Sequence, residues 1–517
     1  MPKPLSFGKI DVALTAGGAG LGRELPEDPP FRVLVVGDFS GRRNRDVVRP
    51  FERGPMMVDR DNLDEVFKKV GAALRLPAGS DNTGELMLSF AEMDDFHPDR
   101  LYKRVPLFQA LRDLRDRLSD PSSFARAAQE MRAWAPASPP ARSTPNAPES
   151  KPERAPVADA RPEMLLEQIL GGTASEPAPV SGFPATRDWQ AFMQKLVQPY
   201  LVPQIDYSQQ ARLLTLIDEV ISDQMRAIMH HPDFQSLEAG WRGIEFLVRR
   251  LELDQRLKLY VLDVSKAELT ADLSSAENLP ATSAYRVLVD QAAGTPGGLP
   301  WAAVIADYTF DGSPEDVEVL GRMAKIAERA RAPLLSCVSS RILGCASLVD
   351  TPDPRDWKPA SPPNDAWAAL RNLPEARYLG VALPRFLLRL PYGRATTSTE
   401  SFDFEEMPSV SNHEWYLWGN PAYACAYLLA QAFSRYGWDL YSRVETDVVG
   451  LPVYVYEADG ESCMKPCAET LLADRSAEAI REMGIMPLLS VRGRDAVRLE
   501  QLRSLADPPT ALAGRWT

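Results

Sequence analysis

Histidine and cysteine are scarce: four and five among 517 residues, which leaves little for metal or nucleophilic chemistry to draw on. An odd, sparse thiol count fits reduced cysteines in a cytoplasm and argues against a disulfide scaffold. No apolar run approaches the ~18 uninterrupted residues of a membrane span, so no direct membrane insertion is expected. The opening MPKPLSFGKIDVALTAGG lacks a basic stretch followed by an apolar one, and no signal peptide is expected. Basic charge is also short. With 58 Lys and Arg against 71 Asp and Glu, the net charge is −13, a poor balance for displacing counterions from nucleic acid. What remains is ordinary globular material, 45% hydrophobic and 25% charged, with one excess. There are 45 prolines, about 9% of the chain against a usual ~5%.

Those prolines divide the chain. From Trp134 to Arg187, Pro, Ala and Ser dominate without periodicity, the composition of a semi-extended linker. Within it, Pro162 opens a short amphipathic helix whose Leu165, Leu166, Ile169 and Leu170 share a face, and Gly171-Gly172 closes it. The expected layout is a folded block over 1–131, a linker over 132–187 with the helix near 162–170, and a second block over 188–517. In the first block, Phe31–Val36 reads as a buried strand and Glu85–Phe90 as a half-buried one. Asn62 and Glu65 resemble a capping box ahead of Leu63, Val66, Phe67, Val70 and Leu74, and Val105, Phe108, Leu111, Leu114 and Leu118 form a helical stripe. The second block opens with two helices, one striped by Leu214, Ile217, Ile221 and Ile228, the next by Phe234, Leu237, Trp241, Ile244 and Val248. Strands are expected at Leu257–Val264, Trp301–Ala306, Leu334–Val338, Tyr378–Leu383 and Val453–Tyr456, with a helix over 314–331. That alternation makes the fold α/β with parallel strands. Asp495–Leu505 looks helical.

Catalytic signals are weak. Gly17–Gly22 misses the GxGxxG spacing and precedes a strand instead of following one, so it reads as a loop. Gly37-Asp38-Phe39-Ser40-Gly41 places its serine one position late for GxSxG. Cys463 and Cys467 have ligand-like spacing but no second pair to complete four ligands. His230-His231 ends a helix before Pro232. Adjacent helical residues diverge by about 100°, so capping or packing is the expected role. His97 and His413 stand singly. Arg385, Arg389 and Arg394 could bind an anion, form interdomain ion pairs or pack their stems. Asp307 ends a strand, where α/β enzymes place function and where carboxylates also cap the next element. No catalytic, cofactor or metal residue is assigned.

Several longer strings carry a resemblance. Val33–Gly41 (VLVVGDFSG), Val58–Phe67 (VDRDNLDEVF) and Leu88–Pro98 (LSFAEMDDFHP) resemble the small subunit of the type VI secretion contractile sheath, TssB or VipA. Ile228–Val248 (IMHHPDFQSLEAGWRGIEFLV), Ala306–Tyr308 (ADY), Leu383–Gly393 (LPRFLLRLPYG) and Trp418–Tyr423 (WGNPAY) resemble the large subunit, TssC or VipB. The resemblance implies two mixed α/β sheath-type domains fused through the Pro/Ala-rich linker. It implies a cytoplasmic, non-enzymatic structural protein that surrounds an inner tube and contracts to deliver effectors. The partners it implies are other sheath protomers, Hcp-like inner-tube hexamers, baseplate proteins and a ClpV-type AAA+ unfoldase. Strand donation between protomers would use the segment around Lys9–Thr15, where Ile10, Val12 and Leu14 alternate with Asp11 and Ala13. The unfoldase would dock on Leu165, Leu166, Ile169 and Leu170; the alternative is a helix packed back on its own domain. The family's large subunit continues past the equivalent of Pro487-Leu488-Leu489 with further strands, and that region is missing here. A sheath-associated adaptor or cap is therefore the second reading, and a small-ligand enzyme using Asp307 the third.

Overall fold

The computed structural model describes residues 5–11, 28–47, 51, 53–78, 84–134, 210–294, 298–358, 365–409, 412–458 and 460–517. The strands of the main sheet are β1 (Phe31–Gly37), β2 (Met56–Val58), β5 (Leu257–Asp263), β6 (Ala303–Phe310), β7 (Leu334–Val338), β8 (Leu379–Leu383), β11 (Asp447–Val448), β14 (Met486–Ser490) and β15 (Val497–Leu499). Outside it lie three antiparallel pairs: β3 (Ala73–Ala78) with β4 (Gly84–Ser89), β9 (Phe386–Leu387) with β10 (Trp418–Gly419), and β12 (Val455–Ala458) with β13 (Glu461–Met464). The main sheet runs β11-β15-β14-β8-β7-β6-β1-β5-β2. It is parallel from β14 to β5 and antiparallel at both ends.

The α/β class stands, and the two blocks share this one sheet. The physical reason lies in β1. Its sequence FRVLVVG is apolar on both faces, so it needs cover above and below and a neighbour on each edge. The second block supplies both neighbours. Phe31 through Gly37 lie opposite Leu257 through Asp263 of β5, and Val33 through Val36 lie opposite Ala303 through Ala306 of β6. Strand β1 thus separates β5 from β6.

Alternation along the strands feeds two cores. Phe31, Val33 and Val35 face one side with Leu257, Leu259 and Ile305. That side is covered by α5 (Gln210–Met229), α6 (Pro232–Arg250) and α10 (Pro421–Tyr436), and by first-block helices α1 (Leu63–Val70), α2 (Pro98–Arg104), α3 (Pro106–Ser119) and α4 (Phe124–Trp134). Leu34 and Val36 face the other side, which α7 (Lys266–Ser274), α8 (Pro314–Ala330) and α9 (Asp365–Arg371) cover. Helix α11 (Asp474–Glu482) precedes β14. Aromatic rings from both blocks interleave: Phe67 lies 4.1 Å from Trp241, and Phe31 lies 4.9 Å from Phe433. The expected stripes on α3, α5 and α6 are largely buried.

Four local expectations change. Asn62 precedes α1, but its Oδ1 accepts the Asp59 amide and makes no cap bond. Gly71, at φ 72°, ends that helix, so Leu74 belongs to β3. Strand β6 runs on to Phe310, with a register shift against β7 between Ala306 and Thr309, so Asp307 lies inside an irregular strand and not at its end. Asp495–Leu505 is not helical; its Val497–Leu499 pairs with β14 and β11, a partnership that outweighs local helical preference.

Candidate functional site

The site is built from two identical helix starts. His97-Pro98-Asp99 begins α2 and His231-Pro232-Asp233 begins α6. In each, the histidine backbone is extended, its Nδ1 accepts the aspartate amide at 3.2 Å, and proline sits in the first turn, where no backbone donor is needed. Each aspartate then reaches across the molecule. Asp99 accepts the amides of Glu400 and Ser401, both at 2.9 Å. Asp233 accepts from Asn44 Nδ2 at 2.8 Å. The capping expected of His230-His231 is thus carried by His231, while His230 packs flat on Trp415, centroids 4.4 Å apart. The H-P-D repeat was visible in the sequence and is the signal that would have located this junction.

Beside these helix starts lies a buried ion network. Glu238 is fully buried and Glu406 is 1% exposed. The Arg389 guanidinium bridges them, donating to Glu238 at 2.7 and 3.1 Å and to Glu406 at 2.8 and 3.1 Å. Arg242 adds a third bond to Glu238 at 2.8 Å and one to the Tyr392 hydroxyl at 3.3 Å, and the Tyr392 amide donates to Glu406 at 2.7 Å. Burial alone raises the Glu238 pKa, but Arg389 and Arg242 outweigh it and hold the group below its ordinary value. Glu406, with a single guanidinium, stays raised by burial. The other two arginines of the segment are also paired, Arg385 with Glu469 at 2.6 Å and Arg394 with Asp403. The three arginines thus form ion pairs, but each partner lies in the second block, so the pairs are not the interdomain ones expected. His97 closes the network, its ring 4.7 Å from Tyr392. The arrangement fastens α2, α6 and the 384–406 segment together.

A second cluster sits at the carboxyl ends of β1 and β5, beside the irregular middle of β6. The Asp263 carboxylate accepts the amides of Phe39 and Ser40 at 2.9 and 3.1 Å, and Trp241 Nε1 donates to the Phe39 carbonyl at 2.8 Å. Arg42 lies 3.4 Å from Asp263 and 3.3 Å from Glu268. The GDFSG turn is thus anchored by second-block side chains. Asp307 lies beside Gly37 and Gly240; burial pushes its pKa up to about 6, against bonds from Tyr423 and Asn420. Cys463 is partly exposed and Cys467 buried. A cavity of ≈ 540 Å³ lies between α11 and the β14–β15 pair, where Arg481 is already paired with Glu478 and Glu500. Of the expected donor strand, Ile10 lies in an arm that pairs with its own chain at Lys9 and Asn278, and Val12 and Leu14 fall outside the described residues. Leu165, Leu166, Ile169 and Leu170 also fall outside them. No helix among the described residues is long and apolar enough to cross a membrane.

Comparison with known proteins agrees with this geometry. Residues 211–506 match the VipB family, the EvpB-type tail sheath N-terminal domain. Residues 9–134 match the VipA family of the type VI secretion system. The type VI secretion system sheath protein TssC1 of Pseudomonas aeruginosa is 37% identical over 304 residues, covering 57% of this chain and 61% of that protein. The chain thus spans about three fifths of the length of the curated relative it matches. Since the VipB match covers more than half of the chain and the VipA match holds the strand that completes the same sheet, the chain belongs to the type VI secretion sheath family, with VipA-type and VipB-type regions in one polypeptide.

Proposed function

We propose that this chain is a ready-paired sheath subunit. It assembles with other copies around an inner tube of Hcp-like hexamers in the cytoplasm, seats on baseplate proteins, and contracts to drive effector delivery. No reactive centre takes part; work comes from repacking of whole subunits. The observation that carries the reading is β1, bonded along both edges by strands of the VipB-type region. A tether between two partners makes their pairing intramolecular, at an effective concentration on the order of millimolar. Neighbouring copies are joined by a strand from the segment holding Ile10, Val12 and Leu14. The helix bearing Leu165, Leu166, Ile169 and Leu170 recruits a ClpV-type unfoldase for recycling.

The test is co-expression with the cognate inner-tube protein, followed by negative-stain microscopy of the purified assembly. Tubes of the chain around the inner protein support the reading. Discrete particles that bind a separate full-length sheath protein point instead to an adaptor or cap. Replacing Leu166 and Ile169 with Asp abolishes unfoldase capture; unchanged capture removes that part of the proposal.

A further inference from the structure

All four histidines of the chain lie around one junction, where two cap helices through Nδ1 and a third stacks on Trp415. We propose that His97, His230 and His231 make this junction an acid-sensitive latch, which releases the 384–406 segment from α2 and α6 when they take up protons. The inference is independent of the sheath reading, since it rests on bonds within one chain.

Two of the three act through their lone pairs. Nδ1 of His97 and Nδ1 of His231 each accept a backbone amide, and a protonated ring has no lone pair there. Protonation therefore orphans the first-turn donor of α2 and of α6 together. These are the helices whose first-turn aspartates hold Glu400, Ser401 and Asn44. His230 acts through charge. Its two ring nitrogens are sealed from solvent, and its ring lies against Trp415.

The surroundings set the sign. His230 faces Arg389 from the 384–406 segment and Arg226 from α5, which it directly follows; the acidic group facing it, Glu238, is already bound to Arg389, and the Glu406 backbone favours the charged ring without prevailing. Burial, then Arg389, lowers its pKa to about 3. His97 faces Asp99 and Asp94 beside it, and Arg242, Arg389 and Tyr392 from across the junction; burial lowers its pKa although Asp99 opposes this. His231 faces Asp233, 3.8 Å away, and burial again prevails. The fourth, His413, lies 3.5 Å from the Glu469 carboxylate, packs on Trp418 and caps no helix, so it stays outside the latch. A histidine whose folded pKa is depressed gives stability that is complete above the unfolded value of ~6.5 and is lost as pH falls toward the folded value. The latch is closed at neutral pH and weakens below it.

The experiment uses the full chain, with His97→Asn/His231→Asn and with His230→Phe added. Asparagine keeps an N-cap acceptor but does not titrate. Urea unfolding from pH 8 to pH 5 reads the proton uptake. Each such histidine multiplies the unfolding constant by up to ~10 per pH unit, and three by up to ~1,000. The wild type shows this extra slope over the carboxylate background, and the triple variant loses it. Amide exchange at Glu400 and Ser401, corrected for intrinsic pH dependence, gives the local reading. Protection falls by pH 5.5 in the wild type and persists in His97→Asn alone, which keeps the test usable if the triple variant does not fold. An unchanged slope in the triple variant, or protection at Glu400 and Ser401 that falls equally in wild type and His97→Asn, overturns the proposal.

Discussion

Cutting the chain between its two regions should leave them together. A site for a sequence-specific protease, inserted between residues 135 and 209, supplies the perturbation. Strand β1 buries five side chains, Phe31, Val33, Leu34, Val35 and Val36, in the joint cores, and each stabilises by ~1.5–3 kcal/mol. Cutting replaces an effective concentration on the order of millimolar with the micromolar concentration of free halves, a factor of ~1,000, or ~4 kcal/mol. Beyond β1, Phe67 against Trp241 and the Arg115–Asp218 pair at 2.6 Å also cross the boundary. The burial exceeds the loss, so the cut protein should elute as one species at micromolar concentration. Its stability should become concentration-dependent, with each tenfold dilution lowering it by ~1.4 kcal/mol, whereas the uncut chain shows no such dependence. Two separately eluting, folded fragments would refute the reasoning, because β1 would then have no need of β5 and β6.

Glu238→Gln leaves Arg389 and Arg242 without their shared buried counter-charge and should cost ~3–5 kcal/mol in urea unfolding, while Arg394→Ala should leave the midpoint where it was. Gly243→Ala places a methyl group into the Tyr423 ring; separating α6 from α10 should cost ~1–3 kcal/mol, read as a lower melting temperature. Asp307→Asn should act in the opposite direction. A carboxyl whose folded pKa is raised from 3.8 to about 6 costs nothing below 3.8 and its full amount above 6, so the variant should gain up to ~3 kcal/mol at pH 7.5 and little at pH 4. An equal gain at both pH values would mean that burial of the charge is not the cause.

Much of the architecture was legible because its signals are local. The stripes on α3, α5 and α6 need only a 3.6-residue period, and β1 needs only a buried apolar run. What the sequence did not yield depends on distant partners. Nothing within FRVLVVG says that its neighbours lie more than two hundred residues downstream. Val497–Leu499 became a strand because β14 and β11 flank it. The arginines of LPRFLLRLPYG were recognisable as paired cations, but Glu238 and Glu406 are separated by 168 positions and meet only through Arg389. The H-P-D repeat was there to be seen, and its meaning came from the residues its aspartates hold.

The position of β1 also has a consequence for biosynthesis. Gly37 leaves the ribosome 220 positions ahead of Leu257, which at ~5–20 residues per second means a wait of roughly 10–40 s for its first neighbour. Throughout that interval an apolar ribbon with two bare edges is a template for the wrong partner, including the same ribbon on the next nascent chain of a polysome. Carrying both regions on one message ends the wait within a single round of translation and delivers the partners in equal number.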